Sequence, residues 1–202
     1  MNILASHMNE ALKIGKNLSK FSTYSCRPAN KKELEKIIKE RISKEGTNCD
    51  LNDIDTSLVT FMSQLFYKID FTGDISNWNT SNVTDMSGMF YNSTFNGDIS
   101  SWDTSKVENM YWMFACSRFN QDISRWDISK VQDMSFMFTE TEFNHPIDKW
   151  DVSNVTDMAR MFAWSKFNGD ISNWKIKTGC NTEGIFNGCA IKEEYKPKAL
   201  QQ

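Results

Sequence analysis

Histidine is nearly absent from this chain: His7 and His145 are the only two in 202 residues. Neither sits beside a C-x-x-C pair, because Cys26, Cys49, Cys116, Cys180 and Cys189 are widely spread and no two have zinc-like spacing. The thiols are expected to be free and mostly buried as small hydrophobes, with a Cys180–Cys189 disulfide as the alternative. No G-x-S-x-G, H-E-x-x-H or phosphate-cradling glycine loop occurs, so no enzyme, cofactor or metal site is expected. There is no basic excess either. The formal charge is −3, which gives no nucleic-acid footprint. No apolar run is long enough for a membrane span. The opening MNILASHMNEALKIGKNLSKF carries charges every few residues and lacks the apolar stretch of a secretory signal.

What the chain has is a repeat. Phe71, Phe95, Phe119, Phe143 and Phe167 stand 24 residues apart, as do Ile75, Ile99, Ile123, Ile147 and Ile171, and Trp78, Trp102, Trp126, Trp150 and Trp174. A fixed period of this size predicts stacked units that each touch only their neighbours. The columns through Phe95, Ile99, Trp102, Phe119, Ile123, Trp126, Trp150 and Trp174 are therefore structural. The array divides into six units, 47–70, 71–94, 95–118, 119–142, 143–166 and 167–190. The first unit is degenerate, with Leu51 and Ile54 at the Ile and Trp positions. Residues 1–46 form a helical cap, and 191–202 a closing segment and tail.

Within that cap, Ala5–Phe21 is a plausible short helix. A second one starts at Asn30 with Glu33 completing a capping box, shows Leu34, Ile37, Ile38 and Ile42 on one face, and stops at Gly46. Within each unit, V-x-x-M-x-x-M-F spaces apolar residues as a short helix or 3₁₀ turn would, with Ser105/Glu108 and Ser129/Gln132 as capping boxes. A short strand is expected around Asp98–Trp102. The expected fold is thus α/β, a coil of about six 24-residue turns with one strand and one helical turn per coil.

Two polar columns, Asp74/Asp98/Asp122/Asp170 and Asp85/Asn109/Asp133/Asp157, could cap turns or hold calcium, although Pro146 interrupts the first. Off the apolar columns stand Tyr91, Tyr111, Trp112, Phe136, Arg160 and Trp164. They are the candidate partner-binding residues, because Trp, Tyr and Arg dominate interface hot spots. The alternative is that Trp112 and Phe136 pack as a satellite core.

Tandem copies of F-N-x-D-I-S-x-W-x-x-S-x-V-x-x-M-x-x-M-F, such as FNQDISRWDISKVQDMSFMF, resemble the BspA-type leucine-rich-repeat-like surface-protein repeat of bacteria, also catalogued as a domain of unknown function. The resemblance implies a right-handed leucine-rich-repeat-like solenoid and a surface-linked or secreted protein that binds other proteins. Without a signal sequence, a cytoplasmic location is an equal expectation. The expected function is a non-enzymatic protein-binding scaffold. The alternative is an intracellular inhibitor or effector that blocks a target with an acidic, aromatic-studded rod. Oligomeric state is left open.

Overall fold

The structure is a computed structural model and describes residues 24–201. The helix expected over Ala5–Phe21 lies outside the described residues. The second is present as α1, Lys31–Glu45, and its ends are set by the residues the sequence marks. Asn30 Oδ1 accepts from the Glu33 N–H at 3.1 Å, and Glu33 reaches back to the Ala29 N–H at 2.8 Å. Gly46, at φ 91°, donates to the Ile42 carbonyl and ends the helix. α1 lies across the first unit. Its Lys31 bonds Ser63, and its Arg41 grips Asp53 with two bonds of 3.0 and 3.1 Å and the Asp50 carbonyl with a third. Leu34 and Ile38 are buried beneath it.

The expected α/β solenoid of strand-plus-helix coils is not what the chain forms. Among the described residues there is one α-helix and no strand. Two short 3₁₀ turns, Glu193–Tyr195 and Lys198–Leu200, belong to the closing segment. The leucine-rich-repeat-like, right-handed picture carried by the resemblance falls with the strands. Each unit is instead a chain of turns, tied to the next by single-residue parallel bridges. One series runs Phe61, Asp85, Asn109, Asp133, Asp157, Asn181, one residue per unit; Asp50–Asp74 is a second bridge between the first two units, and Cys26 bridges Ile54 ahead of them.

Two features explain why neither strand nor helix propagates. The first is aspartate. Asp98 Oδ1 accepts from the Ser100 N–H, Asp103 from Ser105, and Asn109 from Tyr111, at 2.9, 3.0 and 2.9 Å. Each such turn folds an N–H inward that a strand would offer to its neighbour. The expected strand over Asp98–Trp102 is broken this way. At the next turn Asp103, not Ser105, does the capping. The bonds from Ser100 and Ser105 hold Asp98 and Asp103 below the usual carboxylate range. Both polar columns are thereby engaged by backbone.

The second feature is a positive φ twice per unit. In the second unit the Met89, Tyr91 and Ser93 N–H groups close turns onto Met86, Gly88 and Phe90 at 3.1–3.2 Å. The alternate N–H groups, from Met86, Gly88, Phe90 and Asn92, reach the Asn109, Tyr111, Met113 and Ala115 carbonyls of the third unit at 2.7–3.0 Å. Gly88 and Asn92 take φ 59° and 49°, which no right-handed helix allows. The i, i+3 apolar spacing of V-x-x-M-x-x-M-F comes from overlapping turns, not from a helix.

The apolar columns fill the interior. Phe66, Phe90, Phe114, Phe138 and Phe162 stack with centroids 5.5–5.7 Å apart, and each also stacks on the opening Phe of the following unit at 4.0–4.5 Å. Every indole of the Trp column donates Nε1–H to a carbonyl 27 residues back, as Trp126 does to Ile99 at 3.1 Å. Asn96, Asn120, Asn144 and Asn168 form an outer ladder. Each Oδ1 accepts the backbone N–H 24 residues on, ending at Lys192. The far end is closed by Ile191 and by the Tyr195 carbonyl, which takes the Ile171 N–H at 2.9 Å.

Gly73 tests the closeness of this stacking. A Cβ there would lie 2.0 Å from the Cys49 carbonyl oxygen, a backbone atom that cannot step aside. At Gly97 the nearest obstacle is its own Phe95 ring, and Gln121 and His145 fill the same position in later units. Gly73→Ala is expected to cost about 1–3 kcal/mol or more. Gly97→Ala should cost less than about 1 kcal/mol. Urea unfolding of the two variants side by side checks this.

Candidate protein-binding strip

Comparing units in register shows where side chains are free to vary. The two positive-φ positions of each unit form two columns. One runs Gln64, Gly88, Trp112, Phe136, Arg160, Gly184, with φ between 53° and 61°. The other runs Lys68, Asn92, Cys116, Glu140, Trp164, Gly188, with φ between 49° and 65°. Glycine occupies three of these sites at no steric cost. A non-glycine residue there loses about 1–2 kcal/mol of backbone energy. Tryptophan, phenylalanine and arginine are thus held where the backbone favours glycine. Their N–H groups make the same inter-unit bonds that glycine makes: Gly88 to the Tyr111 carbonyl at 2.7 Å, Trp112 to Ser135 at 3.1 Å. The fold needs the bond and not the side chain.

These side chains meet on the outside. Tyr67 stacks on Tyr91 at 4.8 Å, Tyr91 on Trp112 at 5.2 Å, and Tyr111 on Trp112 at 4.8 Å. Phe136 meets Tyr111 and Trp112 edge-on at 6.0 and 5.9 Å. All five rings are half-buried. A cation sits at each end. Lys68 Nζ lies 5.2 Å from the Tyr67 centroid and 5.8 Å from Tyr91, and the Arg160 guanidinium lies 5.8 Å over Phe136. Five of the six candidate binding residues therefore share one strip. Trp164 makes no ring contact with it among the described residues. It is 55% exposed and lies against the Cα of Gly188, where an added Cβ would come within 2.5 Å of the indole.

Sequence reasoning missed Tyr67 and Lys68. They sit in the degenerate first unit, at the positions of Tyr91 and Asn92, so the register alone would have found them. It also missed a buried hydroxyl column. Ser117 and Ser165 each donate to a Phe carbonyl three residues back, at 2.6 and 2.8 Å, and accept the N–H two residues on.

Between its two cations the strip carries neutral rings and a neutral thiol. Burial pushes the Tyr91 and Tyr111 phenols up. Burial and the nearby Glu140 push the Cys116 thiol up, so it stays protonated, 3.9 Å from Glu140 Oε2. All five thiols are free, and Cys189 contacts Ser165 and the Phe167 carbonyl rather than Cys180. Among the described residues no three His, Cys, Asp or Glu side chains gather to hold a metal. An open groove of about 530 Å³ between the fifth and sixth units is lined by Asn144, Pro146, Asp148, Asn168, Asp170 and Ser172 among others, without a histidine, thiol or lysine. His145 is a turn residue whose Nε2 meets the Asn120 carbonyl at 3.1 Å. No described helix is long and apolar enough to cross a membrane.

Residues 32–142 and 115–195 match the model of a family described as "Mycoplasma protein of unknown function, DUF285". The chain belongs to this family. The two matches together span α1, the six units and the start of the closing segment. Membership in DUF285 places the repeat in a family of unknown function and does not reach as far as the BspA type. No curated protein and no solved structure matches the chain.

Proposed function

We propose that this DUF285 protein is a non-enzymatic protein-binding scaffold, and that the strip from Tyr67 to Arg160 is its contact surface. The observation that carries this reading is the placement of Trp112, Phe136 and Arg160 at positive φ, in a column where Gly88 and Gly184 serve the backbone better. Strain kept at such positions is a mark of function. Trp, Tyr and Arg are also the residues that dominate interface energetics. The surface-linked, BspA-type role implied by the repeat's resemblance fits the same reading.

The test separates binding from folding. Trp112→Gly relieves the backbone and removes the central ring. The two effects on stability oppose each other, so the unfolding midpoint is expected to stay level or rise. Binding is expected to fall at least tenfold, the loss typical of a hot-spot truncation. Quantitative capture of cell-surface and cytosolic proteins by wild type and by Trp112→Gly reads out the second effect, and urea unfolding the first. Equal capture of every partner by both proteins would refute the assignment of the strip.

A further inference from the structure

The strip also carries information about what it binds. Its ring faces are largely used up, since Tyr67, Tyr91, Trp112 and Tyr111 stack on one another and Arg160 covers Phe136. No broad flat face is left for a sugar ring. Aromatic edges remain, and edges carry the positive part of the ring quadrupole. They suit carbonyl and carboxylate oxygens. Lys68 and Arg160 add full positive charges, and neither has a carboxylate partner among the ion pairs of the described residues. Two carboxylates lie near the strip, Glu140 beside Cys116 and Asp133 close enough to add to the upward push that burial puts on the Tyr111 phenol, both in the fourth unit. They disfavour an acid between the two cations and leave the cations themselves as the places for acids.

The repeat fixes the spacing. Lys68 belongs to the first unit and Arg160 to the fifth, four steps apart. Bridged backbones lie about 4.8 Å apart, so the backbones that carry the two cations are about 19 Å apart along the stack. A polyproline II segment rises about 3.1 Å per residue and covers that span in about six residues. One turn of it, about 9 Å, matches two units, so every third residue returns to the same ring edges two units on. Resting on the binding role proposed above, we infer that the strip takes an extended, proline-rich segment of a partner protein. That segment has carboxylates six residues apart and apolar or proline residues between them.

The full chain, labelled with ¹⁵N, can be titrated with the heptapeptide Glu-Pro-Pro-Leu-Pro-Pro-Glu while the indole N–H resonances are followed. Two controls carry the comparison. One is Lys-Pro-Pro-Leu-Pro-Pro-Lys, and the other is Glu-Glu-Pro-Pro-Leu-Pro-Pro, which has its carboxylates adjacent. The spaced acidic peptide is expected to shift the Trp112 resonance and to bind at least tenfold more tightly than either control. Lys68→Gln and Arg160→Gln should each weaken it about three- to tenfold without lowering the unfolding midpoint, and added salt should weaken it further. Equal binding of the three peptides, binding indifferent to both substitutions, or no shift at all would overturn the inference. If the peptide fails while capture of a protein partner still depends on Trp112, the inference falls and the binding role stands. If capture is also indifferent to Trp112, both fall.

Discussion

Trp126→Ala is expected to lower the unfolding free energy by about 3–5 kcal/mol. The indole is 4% exposed and lies in the fourth unit, with units on both sides. It packs on Phe114 of the third unit with centroids 6.1 Å apart. Its Nε1–H donates to the Ile99 carbonyl, which also accepts the Trp102 N–H at 3.2 Å and so loses one of its two partners when the ring is gone. Trp126→Phe separates the two contributions. It keeps most of the apolar volume and drops the hydrogen bond, at an expected cost of about 1–3 kcal/mol. Trp174→Ala should cost less than Trp126→Ala. Trp174 donates to Ile147 in the same way, but beyond it lies only the closing segment, so fewer packed neighbours are disturbed. Urea unfolding followed by circular dichroism measures all three. Equal losses for Trp126→Ala and Trp174→Ala would mean that the end unit is held as tightly as the middle.

The columns were legible because a strict period leaves no ambiguity about which residues share an environment. The Phe, Ile, Trp, Val, Met and Phe positions from 71 to 162 are all buried. α1 was legible from its end signals, Asn30, Glu33 and Gly46. The local structure of a unit was not. Overlapping turns and a short helix place apolar residues at the same i, i+3 spacing, so the pattern could not choose between them. What decides is the sign of φ at Trp112, Cys116, Phe136 and Glu140, and none of these is a residue that announces a left-handed turn. The signal was present across units rather than within one: Gly88 stands in register with Trp112, and Gly188 with Trp164. The strip divides in the same way. Its aromatics stood out as residues off the apolar columns, whereas Tyr67 and Lys68 were hidden by the loss of Phe and Trp from their unit. Aspartate was legible as turn chemistry, but its consequence for the strand was not drawn, because one inward-turned N–H per aspartate is enough to interrupt a ladder.

Truncating the buried face of α1 should have the other large effect, and of a different kind. Leu34 and Ile38 are 0% and 1% exposed, and they cover a first unit that has lost its own Phe and Trp. Leu34→Ala or Ile38→Ala is expected to cost about 2–5 kcal/mol each. Because the two side chains share one surface, the double variant should not reach the sum of the single losses. Its more telling result is expected in solution behaviour. Leu51, Leu65 and Phe66 are at most 3% exposed, and loosening α1 uncovers them together with the edge of the first unit beyond the Cys26–Ile54 bridge. An open end of a repeat is a template for another chain, which is why terminal units need a polar cover. The double variant is therefore expected to self-associate, as seen by light scattering after size-exclusion chromatography, while its units remain folded. Lys36→Ala with Glu40→Ala is the control on the opposite face. That pair is 77% and 63% exposed, and its loss should cost less than about 0.5 kcal/mol and leave association unchanged. If the control associates as strongly as the Leu34→Ala/Ile38→Ala variant, the apolar face of α1 is not what closes this end. The arginine clamp at Asp53 would then be the next contact to break, since Arg41 joins the helix to the first unit independently of the apolar face.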